Sequence, residues 1–110
     1  MPALMNESEF HARVDKILLL LEGAFDDVAS DIDSQLTSGI LTITFENDTK
    51  LIVNRQTPNR EIWVAAKSGG FHFRYMNSDW FDTRSSVTLA TLLTNVIIEQ
   101  SGLVVPIRFD

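Results

Sequence analysis

Hydrophobic residues recur every three or four positions over residues 7–28, which predicts an amphipathic helix in this segment. The apolar positions are Phe10, Val14, Ile17, Leu18, Leu21, Ala24, Phe25 and Val28. Asp15, Glu22 and Asp26 follow one another at spacings of seven and four residues, which places them on one narrow stripe of the opposite side. Gly23 interrupts this helix, where glycine costs about 1 kcal/mol relative to alanine. The helix is therefore predicted to have an apolar face, an acidic stripe and a weak point beside that stripe.

After residue 30 the hydrophobic period changes to two, which is typical of β-strands with one buried face. Turns are predicted at Ser38-Gly39, Asn47-Asp48, Thr57-Pro58-Asn59 and Gly69-Gly70. The predicted strands cover residues 31–37, 41–46, 51–53, 61–67, 71–75 and 80–81. Because short turns join successive strands, we expect an antiparallel sheet of five or six strands.

A second helix is predicted near the carboxyl end of the chain, with Ser85-Ser86 as its N-cap and Ser101-Gly102 as its end. Its apolar face contains Leu89, Leu92, Leu93 and Val96. The tail over residues 103–109 is apolar but contains Pro106, so we expect extended chain that covers the seam between the helices. This element order predicts an α+β fold, a two-layer α/β sandwich with both helices on one face of the sheet. The length of 110 residues predicts a single domain over residues 1–110.

The formal net charge of −6 is concentrated at the amino end of the chain. Residues 1–33 contain eight acids and two bases, whereas the remaining 77 residues contain seven of each. Such a surface repels phosphate groups, so we expect neither nucleic acid nor a membrane as partner, while cations and basic protein surfaces are favoured. The longest aliphatic run is too short to span a bilayer, and the first residues contain no basic leader, so a cytoplasmic location is expected.

The common catalytic motifs are missing from the sequence. The absence of cysteine excludes disulfides, thiolate metal sites and cysteine nucleophiles. The five glycines form neither a GxGxxG motif nor a P-loop, and no HExxH or GxSxG motif occurs. His11 and His72 lie on different predicted elements, and each is interpreted as a packing or solvent-facing side chain. We therefore identify no catalytic residue and expect no enzyme.

The acidic stripe on the first helix, Asp15, Glu22 and Asp26, is a stronger candidate for a functional site than either histidine. Its line is expected to continue through Asp31 and Asp33 into the first strand. Carboxylates suit hard cations such as iron, manganese, calcium or magnesium. No enclosing cage is evident, so such a site would be exposed, partly hydrated and weak. The alternative is a solvated helix face that aids solubility.

A second candidate surface is the sheet face turned away from the helices. Trp63 is expected there together with Glu61 and Lys67, because the alternate residues of the same strand face the helices. An aromatic side chain amid amide and arginine groups is typical of a protein interface. The alternative is a tryptophan covered by its own cross-strand neighbours. The residues expected to form this docking face, the sheet platform below, are Asn54, Gln56, Trp63 and Arg74.

The sequence resembles the frataxin family over nearly its whole length. The resemblance is carried by FHARVDKILLLLE with the following FDD, by SDID, and by the highly specific run LTITFENDTKLIVNRQTPNREIWVAAKSGGFHF. The later Trp80 and the segment SSVTLATLL complete it. It implies two helices on an antiparallel sheet. It also implies an iron-binding protein of iron-sulfur cluster assembly that docks on a cysteine desulfurase and its scaffold protein, either supplying iron or regulating the rate.

The resemblance also implies roles for particular residues. It assigns weak surface binding of iron, Fe²⁺ or Fe³⁺, to a group of acids that we call the acidic ridge. The acidic ridge consists of Glu22, Asp26, Asp27, Asp31, Asp33 and Asp15. It assigns partner binding to the sheet platform. Relatives often carry a second acid directly after the position of Glu22, where this chain has Gly23, so fewer or more weakly bound iron ions are expected.

Three possibilities follow for the function. The first is iron binding in cluster assembly by a monomer that forms oligomers when iron is added. The second is an acidic protein-interaction module with no physiological metal. The third is a small enzyme built from scattered polar residues. Some frataxins are credited with ferroxidase activity, but the sequence contains no enclosed di-iron carboxylate motif.

Overall fold

The structure is a computed structural model that describes residues 5–27 and 32–109. The elements are α1 (Glu7–Asp26), β1 (Asp33–Thr37), β2 (Ile40–Thr44), β3 (Lys50–Gln56), a 3₁₀ turn (Thr57–Asn59), β4 (Glu61–Ala66), β5 (Gly69–Met76), β6 (Asp79–Asp82) and α2 (Leu89–Ser101). The six strands form one sheet in the order β1-β2-β3-β4-β5-β6, and each is antiparallel to the next. The predicted α+β sandwich is confirmed, with six strands. Neither α1 nor α2 has the length and apolarity needed to cross a membrane.

The first helix begins where its capping residue can satisfy a free backbone N–H group. The side chain of Asn6 accepts a hydrogen bond of 2.8 Å from the backbone N–H of Glu9. The helix ends at Asp26, two residues before the predicted end, and residue 28 lies outside the described residues. Its buried side chains are Phe10, Val14, Ile17, Leu18, Leu21 and Phe25. The apolar face predicted from the spacing of three and four is therefore the face that packs.

The predicted N-cap of the second helix is wrong. Thr88 is the N-cap, and its hydroxyl accepts from the backbone N–H of Thr91 at 3.3 Å. The Ser85 hydroxyl instead donates to Asp82 at 2.7 Å, and Ser86 has a φ of 64°, so both serines belong to the turn that leaves β6. The nearby buried carboxylate of Asp82 thus competes successfully for the capping hydroxyl.

One hydrophobic core lies between the two helices and the sheet. The sheet contributes Leu41, Ile43, Leu51, Val53, Ile62, Val64 and Phe73, all fully buried. The second helix adds Leu89, Leu93, Val96 and Ile97. The tail after α2 is extended, and its Val105 is fully buried while Ile107 and Phe109 pack against the core. Because every second residue of each central strand faces this core, the remaining residues are presented on the opposite face of the sheet.

Gln100 fixes two turns of the sheet to α2. Its carbonyl oxygen Oε1 accepts from the backbone N–H of Lys67 at 3.1 Å, and its amide nitrogen Nε2 donates to the backbone oxygen of Lys50 at 2.9 Å. These bonds join α2 to the start of β3 and to the turn between β4 and β5. Lys67 therefore lies in that turn rather than on β4 beside Trp63, which corrects the predicted extent of the fourth strand.

Candidate binding surfaces

The acids at the carboxyl end of α1 lie where the helix itself disfavours negative charge. Glu22, Asp26 and Asp27 occupy its last two turns and its C-cap, and no basic residue lies in the last turn. The carboxyl end of a helix carries a partial negative charge, so each carboxylate placed there costs about 0.3–1 kcal/mol. Asp26 accepts a hydrogen bond of 3.4 Å from the hydroxyl of Ser34 on β1. A bound cation or a basic partner would relieve this accumulation of like charge.

The acids in the amino-terminal half of α1 are arranged differently, because each of them has a basic partner. Glu7 lies 3.5 Å from His11, and Glu9 lies 3.2 Å from Arg13. Among the residues that the structure describes, no lysine, arginine or histidine lies within 4.0 Å of the carboxylates of Glu22, Asp26, Asp27 or Asp33. Glu22, Asp26 and Asp27 thus supply three of the six net negative charges, and no lysine or arginine occurs in the sequence from residue 17 to residue 33.

Asp15 is held apart from the other ridge acids. Its carboxylate accepts a hydrogen bond of 2.6 Å from Nη2 of Arg55 on β3, and Nη1 of the same guanidinium lies 2.8 Å from Nδ1 of His11. The Arg55 side chain is only 15% exposed, so this contact joins α1 to the sheet. Asp15 also precedes Asp26 by eleven residues, about 16 Å along the helix. The structure therefore places Asp15 in an ion pair, away from the end of the ridge.

Asp33 and Asp31 complete the set of predicted ridge residues. Asp31 lies outside the described residues. Asp33 is exposed at the start of β1, where Ser34 contacts α1 and Leu36 packs against the core. Since successive side chains of a strand point to opposite faces, Asp33 points away from the helix layer. The described ridge acids therefore do not form the single line that the sequence suggested.

A preformed metal cage is not present in residues 5–27 and 32–109. No three or more histidine, aspartate or glutamate side chains in these segments converge closely enough to hold one ion. A cation at the end of α1 would have Glu22, Asp26 and Asp27 as nearby donors and would keep part of its hydration shell.

The four residues of the sheet platform lie together on the open face. In the sheet register Asn54 pairs with Trp63, and Gln56 pairs with Glu61, which in turn pairs with Arg74. The side chain of Trp63 is 41% exposed, so its cross-strand neighbours cover it only in part. The hairpin alternation that predicted this grouping therefore describes the geometry correctly.

Glu61, which the sequence predicts on this face, and His72, which it does not assign to the face, form a contact network with Trp63 and Arg74. The imidazole of His72 stacks on the indole of Trp63, with ring centroids 6.2 Å apart and an interplanar angle of 24°. Oε1 of Glu61 lies 3.3 Å from Nδ1 of His72, and Oε2 accepts a hydrogen bond of 2.8 Å from Nη2 of Arg74. The Glu61 side chain is only 8% exposed although it lies on the open face. The predicted turn at Gly69-Gly70 is wrong: the turn is Lys67-Ser68, both glycines belong to β5, and this register places His72 opposite Trp63.

A shallow cavity of about 350 Å³ adjoins this face at Arg74. It is lined by Arg74, Met76, Asn77, Phe81, Asp82, Thr83 and Ser86. The walls are mainly apolar, and the carboxylate of Asp82 is already bonded to the turn that follows β6. The cavity therefore lies at the edge of the open face, next to the guanidinium of Arg74.

The profile of the frataxin-like domain matches residues 3–103, which is most of the chain. The chain belongs to the frataxin family. It is similar to the iron-sulfur cluster assembly protein CyaY of Paraburkholderia phymatum, with 42% identity over 98 residues that cover 89% of this chain and 93% of that protein. It is also similar to the CyaY protein of Photobacterium profundum, with 46% identity over 82 residues that cover 74% of this chain and 78% of that protein.

Solved frataxin structures have the same fold. The frataxin of Psychromonas ingrahamii, a member of the CyaY protein family, superposes with a TM-score of 0.86 at 37% identity, over 96% of this frataxin and 99% of that chain. The trimeric frataxin of the yeast Saccharomyces cerevisiae, complexed with ferrous iron, has a TM-score of 0.70 at 26% identity, over 94% of each chain. The resemblance found in the sequence is therefore confirmed for both family and fold.

Proposed function

We propose that this frataxin acts in iron-sulfur cluster assembly and binds iron weakly at the carboxyl end of α1. The observation that carries the proposal is the group formed by Glu22, Asp26 and Asp27. These three carboxylates oppose the helix dipole and have no basic partner among the described residues. Two findings on relatives support it: similar proteins are named iron-sulfur cluster assembly proteins, and a yeast frataxin is described with ferrous iron.

Iron is the cargo or effector in this proposal, and the protein supplies oxygen donors without catalysing a reaction. Carboxylate oxygens suit both oxidation states of iron, and the exposed geometry favours rapid exchange over retention. Asp33 adds to the negative field from the other side of β1. Asp15 is left out of the ligand set because Arg55 neutralises it.

The proposal includes docking on a cysteine desulfurase and its scaffold protein. The sheet platform offers a half-exposed indole, two amide side chains and an arginine on three adjacent strands, β3, β4 and β5. Such a surface suits an interface in which a tryptophan is the central contact. Glu22, Asp26 and Asp27 lie on the helix layer and the sheet platform lies on the open face of the sheet, so the two groups can contact different surfaces of the assembly machinery. Docking would let the protein act as an iron donor or as a regulator of the desulfurase.

An anaerobic titration of the full chain with Fe(II), followed by amide NMR, tests the iron site. The resonances of Glu22, Asp26 and Asp27 should broaden first, because the paramagnetic ion would lie beside them. The double variant Asp26→Asn, Asp27→Asn should abolish this early broadening. Glu7→Gln with Glu9→Gln removes the same number of charges from the same helix and is the matched control. Broadening centred on His11 or His72 would contradict the assignment.

The alternative, an acidic interaction module with no physiological metal, is separated from the proposal by a second measurement. Desulfurase activity is recorded with and without the protein over a range of iron concentrations. An effect of the protein that depends on iron and is lost in the double variant supports iron binding as its function. An effect that is identical at every iron concentration supports the interaction module.

A further inference from the structure

The exposed side of α1 contains an apolar patch beside the acids, and neither the fold nor the proposed iron site uses it. Leu19 is 60% exposed and the neighbouring Leu20 is 39% exposed. Leu19 is a helix-surface neighbour of Asp15 and Lys16 one turn before it and of Glu22 one turn after it. A leucine this exposed inside a charged surface adds nothing to the core of the protein.

Gly23 extends the patch and is not required by the fold. A Cβ atom at Gly23 would meet no other atom within 4 Å, and its backbone is that of an ordinary helix. Most other residues would therefore fit at this position and stabilise the helix. Because Gly23 follows Leu19 by one turn, the two residues form a low, side-chain-poor surface next to the exposed leucine. Such a surface allows another protein to approach the helix backbone closely.

The charges around the Leu19 and Gly23 patch indicate which kind of protein surface could bind to it. Glu22, Asp26 and Asp27 border it and have no basic partner among the described residues, whereas Lys16 is the single base on its other side. A second copy of this chain would bring two such groups of acids together, so self-association through α1 is disfavoured. The complementary surface is an apolar side chain ringed by lysine and arginine.

We propose that Leu19 and Gly23 form a contact site in which a basic surface of the cysteine desulfurase and scaffold assembly buries the exposed leucine. This inference rests on the proposed function, since it concerns the same partners. The acids then attract and orient the partner, and Leu19 supplies the contact that slows its release. The ridge is thereby a mixed apolar and acidic interface rather than a purely ionic one.

Binding kinetics of the full chain against the immobilised desulfurase and scaffold assembly test the inference. Leu19→Gln keeps both side-chain length and helix propensity and removes only the apolar character. It should raise the dissociation rate about tenfold and leave the association rate and its salt dependence unchanged. Val104→Gln, at a position 67% exposed in the tail, is the matched control and should bind like the parent.

Gly23→Gln provides a second variant whose folding and binding effects have opposite signs. It should raise the melting temperature, because glutamine is a better helix former than glycine, and it should weaken binding about tenfold by blocking close approach. If both variants bind like the parent while Asp26→Lys with Asp27→Lys binds weakly, the apolar contact is wrong and ridge docking stands. If the parent itself does not bind, the inference and the proposed docking both fail. A dimer of the parent that Leu19→Gln dissociates would show self-association instead.

Discussion

The two halves of α1 contain the same kind of side chain in opposite circumstances. In the first half Glu7, Glu9 and Asp15 each contact a basic group, and Asp15 ties the helix to β3 through Arg55. In the second half Glu22, Asp26 and Asp27 have no such contact among the described residues and face the negative end of the helix dipole. The comparison teaches that a count of acids does not define a binding site. The acids that lie close together and also have no basic partner among the described residues are the ones available to share a ligand.

The largest expected effect concerns the ion pair that sets the first half apart. Arg55→Met keeps the aliphatic stem and removes the charge, which leaves Asp15 and His11 without their shared partner. Because hydrogen bonds to charged groups contribute about 1.5–3 kcal/mol each, the free energy of unfolding should fall by about 3 kcal/mol. Urea denaturation measures this change. Arg84→Met, at an exposed arginine, should change it by less than about 0.5 kcal/mol. Equal stability of the Arg55 variant and the parent would show that the contact of Arg55 with Asp15 and His11 does not stabilise the fold.

The next largest effect separates contact from charge. Trp63→Ala removes the half-exposed indole from the sheet platform, and truncation of such an anchor costs about 2 kcal/mol, equivalent to a roughly thirtyfold higher dissociation rate. Iron binding should not change, since Trp63 lies on the other layer of the sandwich. Surface-binding kinetics at two salt concentrations, with Fe(II) titration of the same sample, measure both. Parent-like binding by the variant would show that the open face is not the docking face.

A smaller effect should have opposite signs in the two halves. Replacing Asp26 and Asp27 by asparagine removes charges that the helix dipole disfavours, so stability in metal-free buffer should rise by about 1 kcal/mol. Replacing Glu7 and Glu9 by glutamine removes charges that the amino end favours and two ion pairs, so stability should fall by about 1 kcal/mol. Thermal unfolding measures both changes. Shifts of the same sign in both variants would mean that the dipole does not distinguish the two halves.

Local periodicity explains how much of this molecule could be predicted. The apolar face of α1, the presence of six strands and the grouping around Trp63 follow from spacings of two, three or four residues and are confirmed, whereas the turn between β4 and β5 lies two residues before the predicted Gly69-Gly70. The link between Asp15 and Arg55 joins residues 40 positions apart, and no local pattern encodes it. The N-cap of α2 was misplaced for a different reason. Ser85 donates its hydroxyl to the buried Asp82 and Ser86 adopts a φ of 64° in the turn, so Thr88 is the residue that caps the helix.

The smallest expected effect concerns Asp33, the acid that the sequence placed in line with the others. Its carboxylate lies on the open-face side of β1, while Asp26 contacts Ser34 on the helix side. Asp33 can therefore strengthen the negative field at the end of α1 but cannot readily share an ion with Asp26, and exposed charges are screened over about 8 Å at physiological salt. Asp33→Asn should weaken Fe(II) binding by less than about twofold, whereas Asp26→Asn should weaken it more. Anaerobic titration calorimetry of the two single variants at low and physiological salt compares them directly. If Asp33→Asn lost as much affinity as Asp26→Asn at physiological salt, the iron would have to bridge the edge of the sheet, and the site would include the first strand as well as the helix.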